Sequence, residues 1–290
     1  MTHLLAFGLG YSATELAQRL VKQGWQISGT STTEAGADAG RSLGYDMHVF
    51  DGSARASSIV PLLRTVTHVV LSAPPTADGD PVFQHYAGDL ASAPALRWTG
   101  YLSTIGVYGN HDGAWVDEDT PATPASDRSR RRVYAENQWL DFASQTGKTA
   151  QIFRLAGIYG PGRSAIDNVR DGSARRVIKP GQVFNRTHVA DIASVLEAAI
   201  SGIGQYALYN VTDDEPAPPQ DVIAFAAELL GLPVPPEVAI ESAELSPMGV
   251  SFYSENKRVR NERLKSDLGV TLRYPTYREG LRALAISSGT

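Results

Sequence analysis

The sequence predicts an α/β protein with a doubly wound parallel sheet and a smaller mixed C-terminal lobe. Short apolar or β-branched runs (HLLAF, WQISGT, HVVLSA, WTGYLST and TAQIFRLA) alternate with segments long enough for helices up to about residue 155. This alternation is typical of βαβ units, because parallel strands need long crossover connections. Beyond that point glycine, proline and acidic residues become frequent and helices dominate, which indicates the separate lobe.

The composition excludes several classes of protein. The 290 residues carry a formal net charge of −5, with no cysteine and six histidines. An acidic chain without a global basic surface is a poor partner for nucleic acid, and the absence of cysteine excludes thiolate chemistry. No HExxH pairing and no run of about eighteen apolar residues occurs, so we expect no metal and no membrane association. We expect a cytoplasmic protein.

The first strand, HLLAF, leads into a helix, YSATELAQRLVKQGW, through a turn of the pattern Gly8-x-Gly10-x-x-Ala13. Gly8 allows the tight turn, and Gly10 lets backbone N–H groups approach a pyrophosphate at the positive end of the helix. Ala13 is small enough for close packing of the helix on the strand. We therefore predict a Rossmann-type dinucleotide site. Further cofactor contacts are expected from Tyr11 in the turn and from Ser72 and Ala73 at the end of HVVLSA.

The segment after the second strand, SGTSTTEAG, bears on which dinucleotide is bound. An NAD site is expected to carry Asp or Glu about twenty residues after the glycine turn, for the ribose 2′-hydroxyl. Here Thr30, Ser31 and Thr32 offer hydroxyls without negative charge, which suits a 2′-phosphate with Arg41 as its charge partner. Glu34 is the alternative acid for NAD, and a polar loop with a capping threonine is the structural alternative. We expect NADP, with NAD as the alternative.

The third strand ends in HVFDGS, where Asp51 has two interpretations. Its carboxylate can accept a hydrogen bond from the adenine amino group of the cofactor. It can equally cap a helix N-terminus, a position at which aspartate is favoured.

Six further blocks extend the pattern over most of the chain. They are GYLSTIGVYG (100–109), WVDEDTPATP (115–124), FRLAGIYGPGRS (153–164), NRTHVADIA (185–193), YNVTDDEP (209–216) and NERLKSDLGV (261–270). In their order the chain resembles the extended short-chain dehydrogenase/reductase family of nucleotide-sugar epimerases and dehydratases. The resemblance implies an NAD(P)-binding domain over residues 1–155 and 186–214. It also implies a small substrate lobe over 156–185 and 215–290 that closes on substrate.

The resemblance also implies catalytic positions, and there the chain departs from the family. Thr104 falls on the family's catalytic Ser or Thr. The family's Tyr-x-x-x-Lys, aligned on Ala135 and Glu136, falls on Arg128 and Arg132. Arginine does not release its proton near neutral pH, so neither residue replaces that dyad as an acid or base. Arg132 can still contact the nicotinamide ribose, as the family's lysine does.

Other residues offer partial replacements. Tyr108 and Tyr134 are candidate acids, although each is also read as a packed aromatic. Helical angles group Arg128, Arg131 and Arg132 on one face, which is either an anion site or a solvated charge run. A second Tyr-x-x-x-Lys, YSENK at residues 253–257, lies in the lobe and is interpreted as coincidence.

The lobe resembles the family in YGPGRS and VIKPGQVFNRTHV. These segments place Arg163, Arg186 and His188 where relatives face a nucleotide-sugar diphosphate, so an anionic small-molecule substrate is expected. Structural roles in loops and caps are the alternative. Two functions follow. One is an NAD(P)-binding, epimerase/dehydratase-like oxidoreductase with altered catalytic residues, and the other is a non-catalytic, cofactor-sensing regulatory or binding protein.

Overall fold

A seven-stranded sheet forms the centre of the computed structural model, which describes residues 1–287. Its strands are β1 His3–Phe7, β2 Gln26–Ser31, β3 Asp46–Val49, β4 His68–Leu71, β5 Trp98–Thr104, β7 Thr149–Leu155 and β11 Leu208–Val211. Every neighbouring pair is parallel, in the order β11-β7-β5-β4-β1-β2-β3. The predicted α/β fold class with a doubly wound, Rossmann-type sheet is confirmed.

Helices cover both faces of the sheet and build the C-terminal part. They are α1 Tyr11–Lys22, α2 Glu34–Ser42, α3 Pro81–Ser92, α4 Asp127–Thr146, α5 Ala165–Arg170, α6 Val189–Ile200, α7 Pro219–Leu230, α8 Pro247–Tyr253, α9 Glu262–Leu268 and α10 Tyr277–Ser287. Short 3₁₀ turns span Leu62–Arg64, Ile105–Tyr108 and Ile240–Ser242. No helix within residues 1–287 combines the length and apolarity needed to cross a membrane.

Side-chain alternation along β1 explains how two core layers form. Leu4 and Ala6 face the layer containing α1 and α6, whereas Leu5 and Phe7 face the layer containing α3 and α4. Successive side chains of a strand point to opposite faces, so a strand covered on both sides is apolar throughout. A third cluster joins α5, α7 and α10 in the C-terminal part.

Six short strands were too brief to be predicted from alternation. They are β6 Trp115–Val116, β8 Gly157–Tyr159, β9 Arg176–Ile178, β10 Arg186–His188, β12 Glu237–Ala239 and β13 Arg258–Val259. They form three parallel pairs, β8 with β10, β9 with β12 and β6 with β13. The last pair ties the C-terminal part to the loop that follows β5.

Helix α4 begins five residues earlier than the segment RVYAENQWLDFASQT indicated. Ser126 caps it by accepting a hydrogen bond from the Ser129 N–H at 3.2 Å. Asp127 in the first turn pairs with Arg130 at 2.5 Å. A carboxylate at this position interacts favourably with the positive end of the helix dipole. It thereby offsets the unfavourable effect of the arginines in the same turn. The arginine cluster is therefore part of the helix.

Candidate functional site

The glycine turn between β1 and α1 is open toward solvent. Gly8 has φ +87°, and a Cβ there would lie 3.3 Å from the Ala73 nitrogen. Gly10 precedes α1 without a side-chain cap, and a Cβ at Gly10 would meet nothing within 4 Å. The first N–H groups of a helix have no intrahelical partner and carry partial positive charge. The turn therefore offers the geometry of an anion cradle.

Thr30, at the end of β2, supports this turn from behind. Its buried Oγ1 accepts a hydrogen bond from the Gly8 N–H at 2.8 Å, and its carbonyl accepts one from the Leu9 N–H at 2.9 Å. This placement corrects the expectation that the Thr30 hydroxyl is offered to a 2′-phosphate, because that hydroxyl is buried and already hydrogen-bonded.

The other residues expected near the ribose are exposed or hydrogen-bonded to one another. Thr32 is exposed, and Ser31 accepts a weak hydrogen bond of 3.4 Å from the Thr33 N–H. Thr33 is the threonine that caps α2. Arg41 pairs with Glu34 at 2.5 Å and with Asp38 at 2.6 Å. Arg41, the predicted partner of a 2′-phosphate, and Glu34, the alternative acid for NAD, are therefore paired with each other.

Three further predicted cofactor residues have local partners. Hydrogen bonds from the hydroxyl and then the N–H of Ser53 lower the pKa of the exposed Asp51 carboxyl. The Tyr11 hydroxyl donates to the Pro161 carbonyl at 3.0 Å. The backbone N–H groups of Ser72 and Ala73 both donate to the Phe7 carbonyl. This fixes the end of β4 beside the glycine turn.

A cavity of about 1030 Å³ adjoins the carboxyl ends of β5 and β7. On the sheet side its wall includes Ser12, Ser72 and Thr104, and on the far side it reaches α8 and α10. Open α/β sheets bind their ligands in the crevice beyond the carboxyl ends of the strands. The cavity therefore occupies the position at which a ligand is expected.

Thr104 and two arginines stand together at the end of β5. Thr104 caps the 3₁₀ turn that follows, where its Oγ1 accepts a hydrogen bond from the Gly106 N–H at 3.1 Å. Arg132 donates to the Leu102 carbonyl at 2.6 Å and lies 5.7 Å from the ring centroid of Tyr101. Arg128 reaches the cavity wall one helical turn earlier. The expected triply basic face is reduced to these two, since Arg131 lies off the wall.

The register of α4 against the sheet is set by a buried ion pair. Glu136 and Arg154 meet at 2.7 Å, and the Ser103 hydroxyl donates to Glu136 at 2.5 Å. Glu136 follows Arg132 by four residues, so both point from one face of α4. This pair therefore also fixes the position of Arg132.

Three predicted site residues are not on the cavity wall. Tyr108 is fully buried and donates to Asn210 Oδ1 at 2.8 Å, and burial raises the pKa of its hydroxyl. Tyr134 is exposed on α4. His188 is buried and caps α6, where its Nδ1 accepts a hydrogen bond from the Ala190 N–H at 3.1 Å. The expectations of Tyr108 as an acid and His188 as a substrate ligand are corrected by these placements.

Positive charge dominates the cavity wall. Arg128, Arg132, Arg163, Arg175 and Arg186 all line it, and none has a carboxylate within 4 Å among the described residues. Arg186 instead donates to the carbonyls of Phe184 and Ala217. The single acid on the described wall, Glu255, pairs with Lys257 at 2.6 Å. A recess of this kind concentrates anions.

Phe252 and Lys257 were missed as wall residues by reasoning from the sequence. Phe252 lies on α8, and the Arg128 guanidinium is 5.3 Å from its ring centroid. Lys257 belongs to the YSENK segment that was interpreted as coincidence. Its chain distance from Thr104 concealed the fact that β13 pairs with β6.

The chain is similar to known proteins over nearly its whole length. No family model matches it. It is 26% identical to Protein YeeZ of Escherichia coli (strain K12), over 95% of this chain and 97% of that protein. A structure of a functionally unknown conserved protein from Silicibacter pomeroyi DSS is 50% identical over the whole of both chains, with a TM-score of 0.89.

Two further structures carry functional names. A protein from Methylobacillus flagellatus assigned as an NAD-dependent epimerase/dehydratase is 27% identical, with a TM-score of 0.74, over 100% of this chain and 99% of its own. The dTDP-glucose 4,6-dehydratase of Bacillus anthracis, solved in complex with NAD, is 16% identical, with a TM-score of 0.77, over 100% and 97%. At that identity the second likeness shows the fold alone.

Proposed function

We propose that the chain is an atypical member of the NAD-dependent epimerase/dehydratase family, as its 27% identity to the Methylobacillus flagellatus structure supports, and that it is an NADP-dependent oxidoreductase acting on a small anionic molecule. NAD is the alternative cofactor. The observation that supports the substrate class is the cavity whose five arginines have no carboxylate within 4 Å in the part of the chain that the structure describes. Nucleic acid and membranes are not proposed as partners, and a cytoplasmic location remains a prediction.

The residues around the glycine turn fit a dinucleotide. The space beside Gly10 and the N–H groups at the start of α1 would accept its pyrophosphate. Ser12 and Ser72 lie where this turn joins the cavity. When bound, the nicotinamide would supply hydride transfer. Arg132 and Thr104 would orient the ribose and the reacting part of the substrate.

A binding experiment tests the cofactor half of this proposal. Gly10 has φ −91°, a conformation open to any residue, so Gly10→Asp should fold and place a carboxylate against the pyrophosphate. We expect NADP binding, measured by calorimetry, to be abolished in this variant and retained in Gly88→Asp. Gly88 lies on α3 with open space around it. Equal NADP affinity in Gly10→Asp and the unmutated protein contradicts the proposal.

Single-turnover reduction tests the catalytic half. Nucleotide sugars and simple carbonyl compounds, with and without a carboxylate or phosphate, are mixed with the protein and NADPH, and NADPH oxidation is followed. We expect oxidation with anionic carbonyl compounds only. The alternative, a cofactor-sensing protein, is favoured by the arginines at the family's Tyr and Lys positions. NADP binding without reduction of any compound supports that alternative.

A further inference from the structure

The YSENK segment separates in space into two unrelated parts. The Tyr253 ring packs on Phe184, with centroids 5.1 Å apart, and its carbonyl accepts a hydrogen bond from Lys179. Lys257, in contrast, lies on the wall of the large cavity. The segment is therefore no Tyr–Lys dyad, but its lysine reaches the candidate site.

The Lys257 ammonium is held in place by buried partners. Its Nζ donates to the Gly109 carbonyl at 2.7 Å and to Glu255 Oε2 at 2.6 Å. The side chain is only 7% exposed. The Asn185 side chain also fixes the backbone at Lys257. Its Nδ2 donates a hydrogen bond to the Lys257 carbonyl, and its Oδ1 accepts one from the Val259 N–H. An ammonium has three N–H groups, so one is left for a ligand.

Lys257 differs from every other cation on the described wall because it can release a proton. The others are arginines, which remain charged. Burial lowers the pKa of the Lys257 ammonium, and the adjacent Glu255 carboxylate raises it in part. Burial raises the pKa of the wall tyrosines Tyr159 and Tyr277, which makes them poorer proton donors.

The surroundings of Lys257 contain few other charges. Gly109, which follows the 3₁₀ turn, presents its carbonyl to Lys257, and the nearby His111 ring faces the Tyr108 carbonyl. The other charged groups on the described wall are its five arginines, Arg128, Arg132, Arg163, Arg175 and Arg186. Burial, and not these cations, lowers the pKa of the Lys257 ammonium.

We propose that Lys257, with Glu255 as its partner, exchanges the proton that Arg128 and Arg132 cannot exchange at the family's usual position. This inference rests on the proposed function. During reduction an N–H bond of the ammonium breaks, and its proton joins a substrate oxygen as the carbonyl becomes a hydroxyl. The electron pair for the new C–H bond comes from reduced nicotinamide, and the amine regains a proton from water through Glu255.

The titration of Lys257 is tested without turnover. The chain has five lysines, so ¹³C labelling at lysine Cε gives few NMR signals, and Lys257→Met assigns the one of interest. We expect this signal to titrate at lower pH than the other four, and at still lower pH in Glu255→Gln. Titration together with the other lysines overturns the inference and leaves the proposed function intact.

Single-turnover NADPH oxidation tests the proton role. Lys257→Met and Lys257→Arg should both slow the reaction by about 100-fold or more, the usual range for loss of a general acid. Lys257→Arg should keep substrate affinity, because the charge is retained. Lys179→Met, in the same part of the chain but off the large cavity, is the control. A normal rate in Lys257→Arg overturns the proton role. An unmutated protein that binds no NADP or reduces nothing overturns the proposed function, and the proton role falls with it.

Discussion

The Gly8 N–H and the Thr30 hydroxyl form a single hydrogen bond on which the conformation of the glycine turn depends. The bond is 2.8 Å long and its acceptor is buried. A shielded N–H that loses its acceptor costs more than an exposed one, because water does not replace the missing partner. We therefore expect the stability of the turn and its affinity for a dinucleotide to be coupled.

Thr30→Val should reveal this coupling. Valine has nearly the same shape but accepts no hydrogen bond, so we expect the free energy of unfolding to fall by about 1–2 kcal/mol. NADP affinity should fall as well. Urea denaturation and calorimetry measure the two effects. Thr149→Val, at an exposed hydroxyl at the start of β7, should change neither, and equal behaviour of the two variants contradicts the coupling.

A single residue, Arg41, is expected to set the preference for NADP over NAD. Arg41 is shared between Glu34 and Asp38 at the protein surface, and exposed ion pairs of this kind contribute little to stability because water screens them. Arg41 can therefore leave them for a 2′-phosphate at little cost. We expect calorimetry to give NADP an affinity several-fold above that of NAD, with Arg41→Ala narrowing the gap. A preference for NAD would indicate that Glu34 holds the ribose.

At the scale of elements, α6 carries a pH dependence through its cap. Burial first, then the charges of Arg273 and Arg19, lower the pKa of His188 to about 4. An unfolded histidine titrates near pH 6.5, so the native state resists protonation that the unfolded state accepts. Stability present above about pH 6.5 is lost as the pH falls toward 4, and the loss amounts to about 3 kcal/mol.

His188→Asn isolates this contribution. Asparagine can accept the same hydrogen bond from the Ala190 N–H but does not titrate. Because His68 has a similarly lowered pKa, the variant should retain part of the acid sensitivity. Urea unfolding at several pH values should show a smaller loss in His188→Asn than in the unmutated protein. His85→Asn, outside α6, is the control, and parallel curves for all three proteins contradict the assignment.

At the scale of the whole molecule, the sheet could be predicted from the sequence, whereas the cavity wall could not. The buried strands of a parallel sheet are apolar runs, and HLLAF and HVVLSA show this in the sequence alone. The wall is assembled from distant segments, including Arg128 on α4, Arg186 on β10 and Lys257 beside β13. Short elements such as α8 carry too few residues for a clear hydrophobic period. Tyr108 was a candidate acid by its residue type, but its hydroxyl is hydrogen-bonded to Asn210 inside the core.

The excess of positive charge on the cavity wall predicts how anions affect the stability of the protein. A ligand that binds only the folded state stabilises it by RT ln(1 + [L]/Kd), about 2.7 kcal/mol at a hundred times Kd. In Gly10→Asp, which blocks the glycine turn, we expect pyrophosphate to raise the melting temperature at constant ionic strength, with potassium chloride as the matched salt. The double variant Arg128→Ala with Arg163→Ala should lose most of this gain. An equal rise in both proteins would place the anion elsewhere.

The contact between Arg128 and Phe252 also affects how an anion can bind in the cavity. It joins α4 to α8, a helix with no buried residue, over a distance of 5.3 Å. An exposed cation–π contact contributes only about 0.5–1 kcal/mol, so an arriving molecule can part the two side chains easily. An anion that binds at this wall therefore competes with one aromatic ring for the Arg128 guanidinium, and not with a carboxylate of the described residues.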